Sequence, residues 1–167
     1  MKNKQPNPKS TITHIVAFWV ILAAFCLPAA QLQAQGNGGP PGPANGTFTI
    51  TGVCSFDVQA TTTGKAGTIT LPNGDLILTG PDFNATFTNL SDPTKSVTLN
   101  QTGSLHISFD ANGNQILMLT GHNGFVNPSL GILNLIGNFT AVFDSNGNLI
   151  QGPTGNGQSM NICDLIN

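Results

Sequence analysis

Residues 105–121 decide the fold, and they read Leu-His-Ile-Ser-Phe-Asp-Ala-Asn-Gly-Asn-Gln-Ile-Leu-Met-Leu-Thr-Gly. Apolar and polar residues alternate on both sides of Asn112-Gly113, which is the pattern of two strands joined by a tight turn. Because Asn and Gly both tolerate a positive φ, the pattern predicts a two-residue type I′ hairpin. That hairpin pairs three couples across one face: Phe109 with Ile116, Ile107 with Met118, and Leu105 with Thr120.

The same turn chemistry recurs along the chain, at Asn73-Gly74 and at Asn146-Gly147. Alternating segments predict further strands at residues 48–53, 56–60, 68–71, 76–79, 83–88, 96–101, 139–143 and 149–150, with a continuous apolar strand at 130–136. Residues 123–129 and 152–157 are predicted as loops, and residues 161–166 as a short helical turn. The sequence therefore predicts an all-β domain of about 8–10 short strands. A single antiparallel β-barrel is favoured because closure removes free edges, and a β-sandwich is the alternative.

The first 34 residues have the three-part organisation of a secretory signal peptide. A polar, Lys-containing start precedes the uncharged run Ile15–Leu27, which is shorter than the roughly 20 residues of a membrane span. Cleavage is expected after Ala34, with Ala30 as the alternative. A lipoprotein acylated at Cys26 and an uncleaved anchor are the minority interpretations. The chain is thus predicted to be secreted by a Sec-type route.

Two further segments follow the leader. Residues 35–46 are rich in Gly, Pro and Asn, with no apolar side chain larger than Ala or Pro. Such a segment cannot bury enough surface to offset its ordering entropy, so it is predicted to be a flexible linker. Residues 47–167 are predicted to form the β domain, which at this length is a single domain.

The two cysteines that remain after the leader are Cys54 and Cys163. An even pair in an exported protein favours a disulfide, and two separately buried thiols are the alternative. Only His106 and His122 remain as imidazole ligands, so neither a metal site nor a cofactor is predicted.

Charge is sparse, because charged residues make up 7% of the chain. After residue 34 the sequence holds two Lys against seven Asp, a net charge of −5. Without a basic footprint we expect neither nucleic-acid binding nor stable membrane association once the leader is removed. No catalytic grouping is recognisable: His106 and Asp110 share a strand face but lie roughly 13 Å apart along it. An enzyme is therefore not favoured.

Two functions compete on this evidence. The first is a secreted, non-catalytic β module with a binding or extracellular surface role. The alternative is a small β-barrel that holds an apolar small molecule, with isomerase or cyclase activity as a further option. Five rings are the candidates to line such a cavity: Phe83, Phe87, Phe109, Phe139 and Phe143. Thr-x-Thr pairs are typical of ice-binding surfaces, but their spacing along this sequence is not regular enough to predict a flat array.

Several motifs resemble a loosely defined group of small exported bacterial proteins of unknown function. They are Ile69-Thr-Leu-Pro-Asn-Gly, Thr88-Asn-Leu, Lys95-Ser-Val-Thr-Leu-Asn, Thr120-Gly-His-Asn, and the C-terminal Gly-Asn-Leu-Ile with Cys163-Asp-Leu-Ile. The resemblance covers most of residues 54–166. It implies a bacterial setting outside the cytoplasm, and it implies no activity and no functional residues.

Overall fold

The computed structural model describes residues 39–167, which form eleven strands and one short helix. In chain order these are β1 (Gly42–Pro43), β2 (Gly46–Ile50), β3 (Val58–Thr63), β4 (Lys65–Thr70), β5 (Leu76–Thr79), β6 (Asn84–Asn89), β7 (Ser96–Asn100), β8 (Gly103–Phe109), β9 (Gln115–Asn127), β10 (Gly131–Phe143), β11 (Leu149–Asn161) and α1 (Ile162–Leu165). The prediction of an all-β domain is confirmed. The predicted signal peptide lies outside the described residues.

The strands pair antiparallel in two sheets. The larger sheet has the order β1-β4-β5-β8-β9-β10-β11, and the smaller has the order β2-β3-β6-β7. The chain passes from the smaller to the larger sheet twice, through the single residue Gly64 between β3 and β4 and through residues 101–102 between β7 and β8. Each sheet ends in two edge strands, so no closed barrel is found within residues 39–167. Two antiparallel sheets are observed, and the predicted preference for a barrel over a sandwich is not confirmed.

A row of glycines crosses four strands of the larger sheet. Its members face one another in register: Gly103, Gly121, Gly137 and Gly157. A Cβ atom at Gly137 would collide with the carbonyl oxygen of Asn156, and one at Gly157 with that of Ile136. The backbones approach too closely here for any side chain, and glycine in a strand interior commonly marks such a bend. We call these four residues the glycine row.

The β9–β10 hairpin folds back on itself at the glycine row. Phe125 lies on the far side of the row, between the row and the β9–β10 turn, and Phe143 lies on the near side, away from that turn. Their ring centroids are nevertheless 6.2 Å apart. Leu135 on the far side and Phe139 on the near side are buried in the same cluster. Two halves of one hairpin therefore pack face to face, and the strands are long because they cross this bend.

Two hydrophobic clusters result. The first joins the smaller sheet to β10 and α1, and its buried members are Ile50, Val58, Ala60, Ala85, Phe87, Ile132, Ile162 and Ile166. The second lies inside the folded hairpin and against β8, and its buried members are Ile107, Leu117, Leu119, Phe125, Leu135, Phe139, Ala141 and Phe143. Ile132 and Leu135 point to opposite faces of β10, because strand side chains alternate. The far half of β10 is therefore a layer with a core on each side.

The predicted type I′ hairpin at Asn112-Gly113 is wrong in its geometry. Gly113 N–H donates to the carbonyl of Asp110, and Asp110 N–H donates to that of Asn114, both at 3.0 Å. Only Gly113, with φ of 79°, is left-handed, whereas a type I′ turn needs a positive φ at both central residues. This is the three-residue connection in which a type I turn is followed by a left-handed residue. The turns at Gly74 and Gly147 have the same hydrogen bonds.

One added loop residue shifts the register and exchanges the faces of β9. Phe109 pairs with Gln115 and Ile107 pairs with Leu117, in place of the predicted Ile116 and Met118. Leu117 is buried in consequence, while Met118 is 47% exposed. A one-residue slip moves every side chain of a strand to the other face, and the turn type alone decided it here.

Four other local predictions concern the second half of the domain. The strand at 130–136 and the helical turn near the C-terminus are confirmed as part of β10 and as α1. The loop predicted at 123–129 is wrong for residues 123–127, which belong to β9, whereas residues 128 and 129 lie in the turn to β10. The loop predicted at 152–157 is wrong, because β11 runs through it. Gly and Asn there are typical of turns, but residues 123–127 and 154–157 pair with β10. The Gly and Asn residues that suggested loops instead lie where the sheet bends.

The end of the segment predicted as a flexible linker is paired with the domain. Gly42 and Pro43 form β1 opposite Ala66 and Lys65. Ala44 is buried, and its N–H donates to the Gly64 carbonyl at 2.9 Å. Composition underestimated this segment because its contacts are made mainly by the backbone, which hydrophobicity does not measure.

Acid should weaken the turns at Asp110 and Asp144. Hydrogen bonds from the backbone and side chain of Asn114 hold the pKa of Asp110 below its ordinary 3.8. The side chain and backbone of Asn148 lower the pKa of Asp144 in the same way. A carboxyl whose pKa is depressed on folding adds stability above its unfolded pKa and loses it as the pH falls through the folded pKa.

We therefore expect the urea concentration at the unfolding midpoint to fall as the pH drops from about 5 to below about 3. Protonation of Asp110 and Asp144 should account for part of this fall, in addition to the contribution of the other carboxyl groups. In the double variant Asp110→Asn and Asp144→Asn that decline should be shallower, and stability near neutral pH should be lower. Asp57→Asn, an exposed aspartate outside these turns, is the matched control. Identical pH profiles for the double variant and the wild type would contradict the assignment.

Candidate functional site

The five phenylalanines proposed to line a cavity are not brought together. Phe87 is buried in the first hydrophobic cluster, whereas Phe139 and Phe143 are buried in the second. Phe83 is buried, and Phe109 is 60% exposed beside a turn. The buried rings act as packing groups in separate places, so the structure gives the apolar-ligand alternative no shared cavity.

The predicted disulfide between Cys54 and Cys163 is confirmed, with Cα atoms 5.5 Å apart and a sequence separation of 109. It ties the segment between β2 and β3 to α1. The bridge also lines an open cleft of about 310 Å³, together with Phe56, Leu130 and Asn161 among others. This cleft follows from how the C-terminus is fastened, and no cluster of ionisable side chains converges on it.

His106 has a carboxylate partner that sequence reasoning missed. Its Nε2 lies 3.1 Å from Oδ2 of Asp75, a residue 31 positions earlier. The two meet because β5 and β8 are neighbours, and strand pairing of this kind leaves no short-range signal. Among the hydrogen bonds of residues 39–167, none joins His106 to a hydroxyl, so the pair does not extend to a Ser-His-Asp arrangement.

Within the part of the chain that the structure describes, no three His, Cys, Asp or Glu side chains are close enough to hold a metal ion. In the same range, no helix has the length and apolar character needed to cross a membrane.

The outward side of the smaller sheet carries uncharged polar side chains on all four strands. Its inward residues belong to the first hydrophobic cluster, so the alternate residues point outward. We call this outward set the threonine face: Thr47, Thr49, Gln59, Thr61, Thr63, Asn84, Thr86, Thr88, Ser96, Thr98 and Asn100. None of these is buried. All carry hydroxyl or amide groups, and the four strands contain no charged residue.

One threonine from each strand lies in a single row across the threonine face. Thr47 pairs with Thr61, Thr61 with Thr86, and Thr86 with Thr98. The hydroxyls of Thr47 and Thr61 are 3.2 Å apart, and those of Thr86 and Thr98 are 2.8 Å apart. Each hydrogen bond fixes two side chains that are already stiff at χ1 because they are β-branched. The row is therefore ordered before any ligand arrives.

The Thr-x-Thr spacing hinted at this surface but did not predict it. The row is assembled from residues 47, 61, 86 and 98, whose intervals along the chain are unequal. Regularity appears only when the four strands are placed in register, which depends on non-local pairing.

Comparisons with known proteins add no external evidence. No family model, curated protein or solved structure matches this chain. The resemblance to small exported bacterial proteins therefore remains a prediction. The support for a function comes from the residues of this chain alone.

Proposed function

We propose that this protein is an exported, non-catalytic binding module whose threonine face holds an uncharged, hydroxyl-rich surface. The observation that carries the proposal is the row of four threonines in register across four strands. Hydroxyl and amide groups at regular spacing offer hydrogen-bond donors and acceptors to a partner surface whose own hydrogen-bonding groups are arranged periodically.

Rigidity favours binding by such a face. Burying a mobile side chain costs rotamer entropy, and long charged side chains lose the most. Threonine has one rotatable bond to its hydroxyl-bearing carbon, and four of these side chains are fixed in hydrogen-bonded pairs. Many weak contacts made together by a preordered array lose little entropy on binding, which is the general benefit of preorganisation.

The setting agrees with a role outside the cytoplasm. The leader has the pattern of a signal peptide, and the Cys54–Cys163 disulfide is the kind of bond that persists in oxidising compartments. With a net charge of −5 after the leader, the chain is unsuited to anionic partners, and the threonine face itself is neutral. A neutral partner surface avoids the desolvation of charges that such binding would otherwise require.

The proposal is tested by adding one charge to the threonine face. We expect wild-type protein to be depleted from solution by at least one solid in a panel of ice, crystalline cellulose, chitin and a neutral β-glucan. Thr98→Lys should weaken that binding about tenfold, equivalent to about 1.4 kcal/mol. Lys is a strongly hydrated point charge, and it would hold water between the sheet and the solid.

Thr120→Lys is the matched control. Thr120 is an exposed threonine of β9 on the larger sheet, so the variant adds the same charge at a strand position away from the threonine face. Depletion assays on both variants, with circular dichroism to check folding, separate local from global effects. Equal losses in both variants, or binding by no solid in the panel, would overturn the proposal.

A further inference from the structure

Resting on the proposed function, we infer that the solid recognised by the threonine face is ice. Three properties of the threonine face favour ice: its two-dimensional repeat, its mixture of methyl and hydroxyl groups, and its lack of charged and aromatic side chains. Each property narrows the choice among neutral, hydroxyl-rich solids.

The repeat is that of a β-sheet in both directions. Neighbouring strands lie about 4.7–4.9 Å apart, and outward residues on one strand repeat every two residues, about 6.4–6.8 Å. The row from Thr47 to Thr98 follows the first direction, and Thr47–Thr49, Thr61–Thr63 and Thr86–Thr88 follow the second. Ice presents oxygen atoms in planar lattices whose spacings are of the same size. A sheet of threonines can therefore meet an ice plane at several lattice points together.

Threonine supplies both groups that a frozen water layer requires. The hydroxyls of Thr86 and Thr98 are bonded to each other at 2.8 Å, so they anchor water without being free to reorient. Each side chain also carries a methyl group, around which water orders because it cannot hydrogen-bond there. A charged side chain would hold its own hydration shell instead, and the strands of the face contain none.

Polysaccharides are the less favoured occupant of the same face. Sugar rings pack their CH surfaces on aromatic side chains, and the threonine face has no aromatic member. The chain contains no Tyr, and its single Trp is Trp19 in the leader. Phe48 and Phe87 lie on the same strands but pack in the first hydrophobic cluster, on the inward side. The face offers hydrogen bonds to a glycan without the stacking that gives such binding its strength.

The twist of the sheet limits how strong ice binding can be. Adjacent strands are rotated by roughly 20–25°, so four strands cannot all match one flat plane. The contact should be best over the central strands β3 and β6. We therefore expect inhibition of ice recrystallisation and partition into growing ice, with only a small thermal hysteresis.

The test uses the exported, oxidised chain in an ice-partition assay and a recrystallisation assay. Wild-type protein should concentrate in growing ice, and Thr98→Lys should reduce this enrichment about tenfold while Thr120→Lys leaves it unchanged. Thr61→Lys places the same charge on a central strand of the row and should be at least as damaging. A chemical-denaturation curve for each variant confirms that the fold is retained.

Thr98→Ser distinguishes the occupants. Ser keeps the hydroxyl that bonds Thr86 and removes the methyl, so ice enrichment should fall several-fold while hydrogen bonding to a polysaccharide would persist. Ice enrichment that is absent, or equally affected by Thr98→Lys and Thr120→Lys, overturns the inference. If cellulose, chitin or β-glucan binding is then sensitive to Thr98→Lys, the proposed function stands without ice. If no solid is bound, both fail.

Discussion

Gly137→Ala should lower the free energy of unfolding by about 3 kcal/mol or more. Two costs combine at this position. The φ of Gly137 is 135°, a conformation that residues with a Cβ rarely adopt, and the added Cβ would collide with the carbonyl of Asn156 on β11. That carbonyl belongs to a paired strand, so it cannot move aside as a flexible side chain would. Relieving the collision requires β10 and β11 to move apart at the glycine row.

Two other glycines separate the sources of this loss. Gly74→Ala tests strain alone, since φ is 90° and no atom lies within 4 Å of the added Cβ; we expect about 1–2 kcal/mol. Gly42→Ala has neither strain nor a neighbour within 4 Å, and should stay within about 0.5 kcal/mol of wild type. Urea denaturation followed by circular dichroism measures all three. A loss below about 1 kcal/mol at Gly137 would show that the glycine row does not determine the bend.

Should Gly137→Ala fail to accumulate as folded protein, Gly155→Ala provides a second measurement. Gly155 lies opposite Phe139 on the same strand pair, and its Cβ would meet the carbonyl of Asn138. Its φ is not left-handed, so only the collision contributes. We expect a loss between those of Gly74→Ala and Gly137→Ala, and a neutral result would contradict the close approach of the two backbones.

The class of fold was predictable because it depends on local alternation. Segments such as 84–89 and 96–100 alternate polar with apolar residues, and each is a strand with one face toward the core. The disulfide was predictable because only two cysteines lie outside the predicted signal peptide. Both conclusions use information carried within a short stretch or by a simple count.

The register was not predictable because the turn sequence suits two turn types, and the bend was not predictable because its glycines lie far apart in the chain. The residues from Asp110 to Asn114 suit either of two turn types, and the chosen one decides whether Leu117 or Met118 is buried. The glycine row joins residues from 103 to 157. Read one at a time, its glycines are typical of loops.

The candidate site was not predictable from the sequence because its residues become neighbours only through strand pairing. Thr61 and Thr86 are neighbours only because β3 pairs with β6. His106 and Asp75 meet only because β8 pairs with β5. Hydrophobicity likewise does not give the position of a phenylalanine, since Phe87 lies in the first cluster, Phe143 lies in the second and Phe109 is exposed.

Removing the disulfide by the double change Cys54→Ser and Cys163→Ser should cost about 4–5 kcal/mol of stability. The bridge closes a segment with a sequence separation of 109, and in the chain-entropy model such a long loop restricts the unfolded state strongly. It also fastens α1, whose Ile162 is fully buried along with the neighbouring Ile166. Apart from this bond, the C-terminus is held by packing and by Asn89 Nδ2, which donates to the Ile166 carbonyl at 3.0 Å.

The loss should be both global and local. Amide hydrogen exchange should increase most in α1 and in the end of β11 that precedes it. These residues lose the covalent bond that limits their local opening, whereas the glycine row is held by strand pairing. Urea denaturation with and without reductant provides the control, because the wild type should lose stability on reduction whereas the double variant should not respond. A double variant within about 1 kcal/mol of the oxidised wild type would mean that packing of Ile162 and Ile166 alone fixes the C-terminus. In that case the bridge would be dispensable for joining α1 to the smaller sheet.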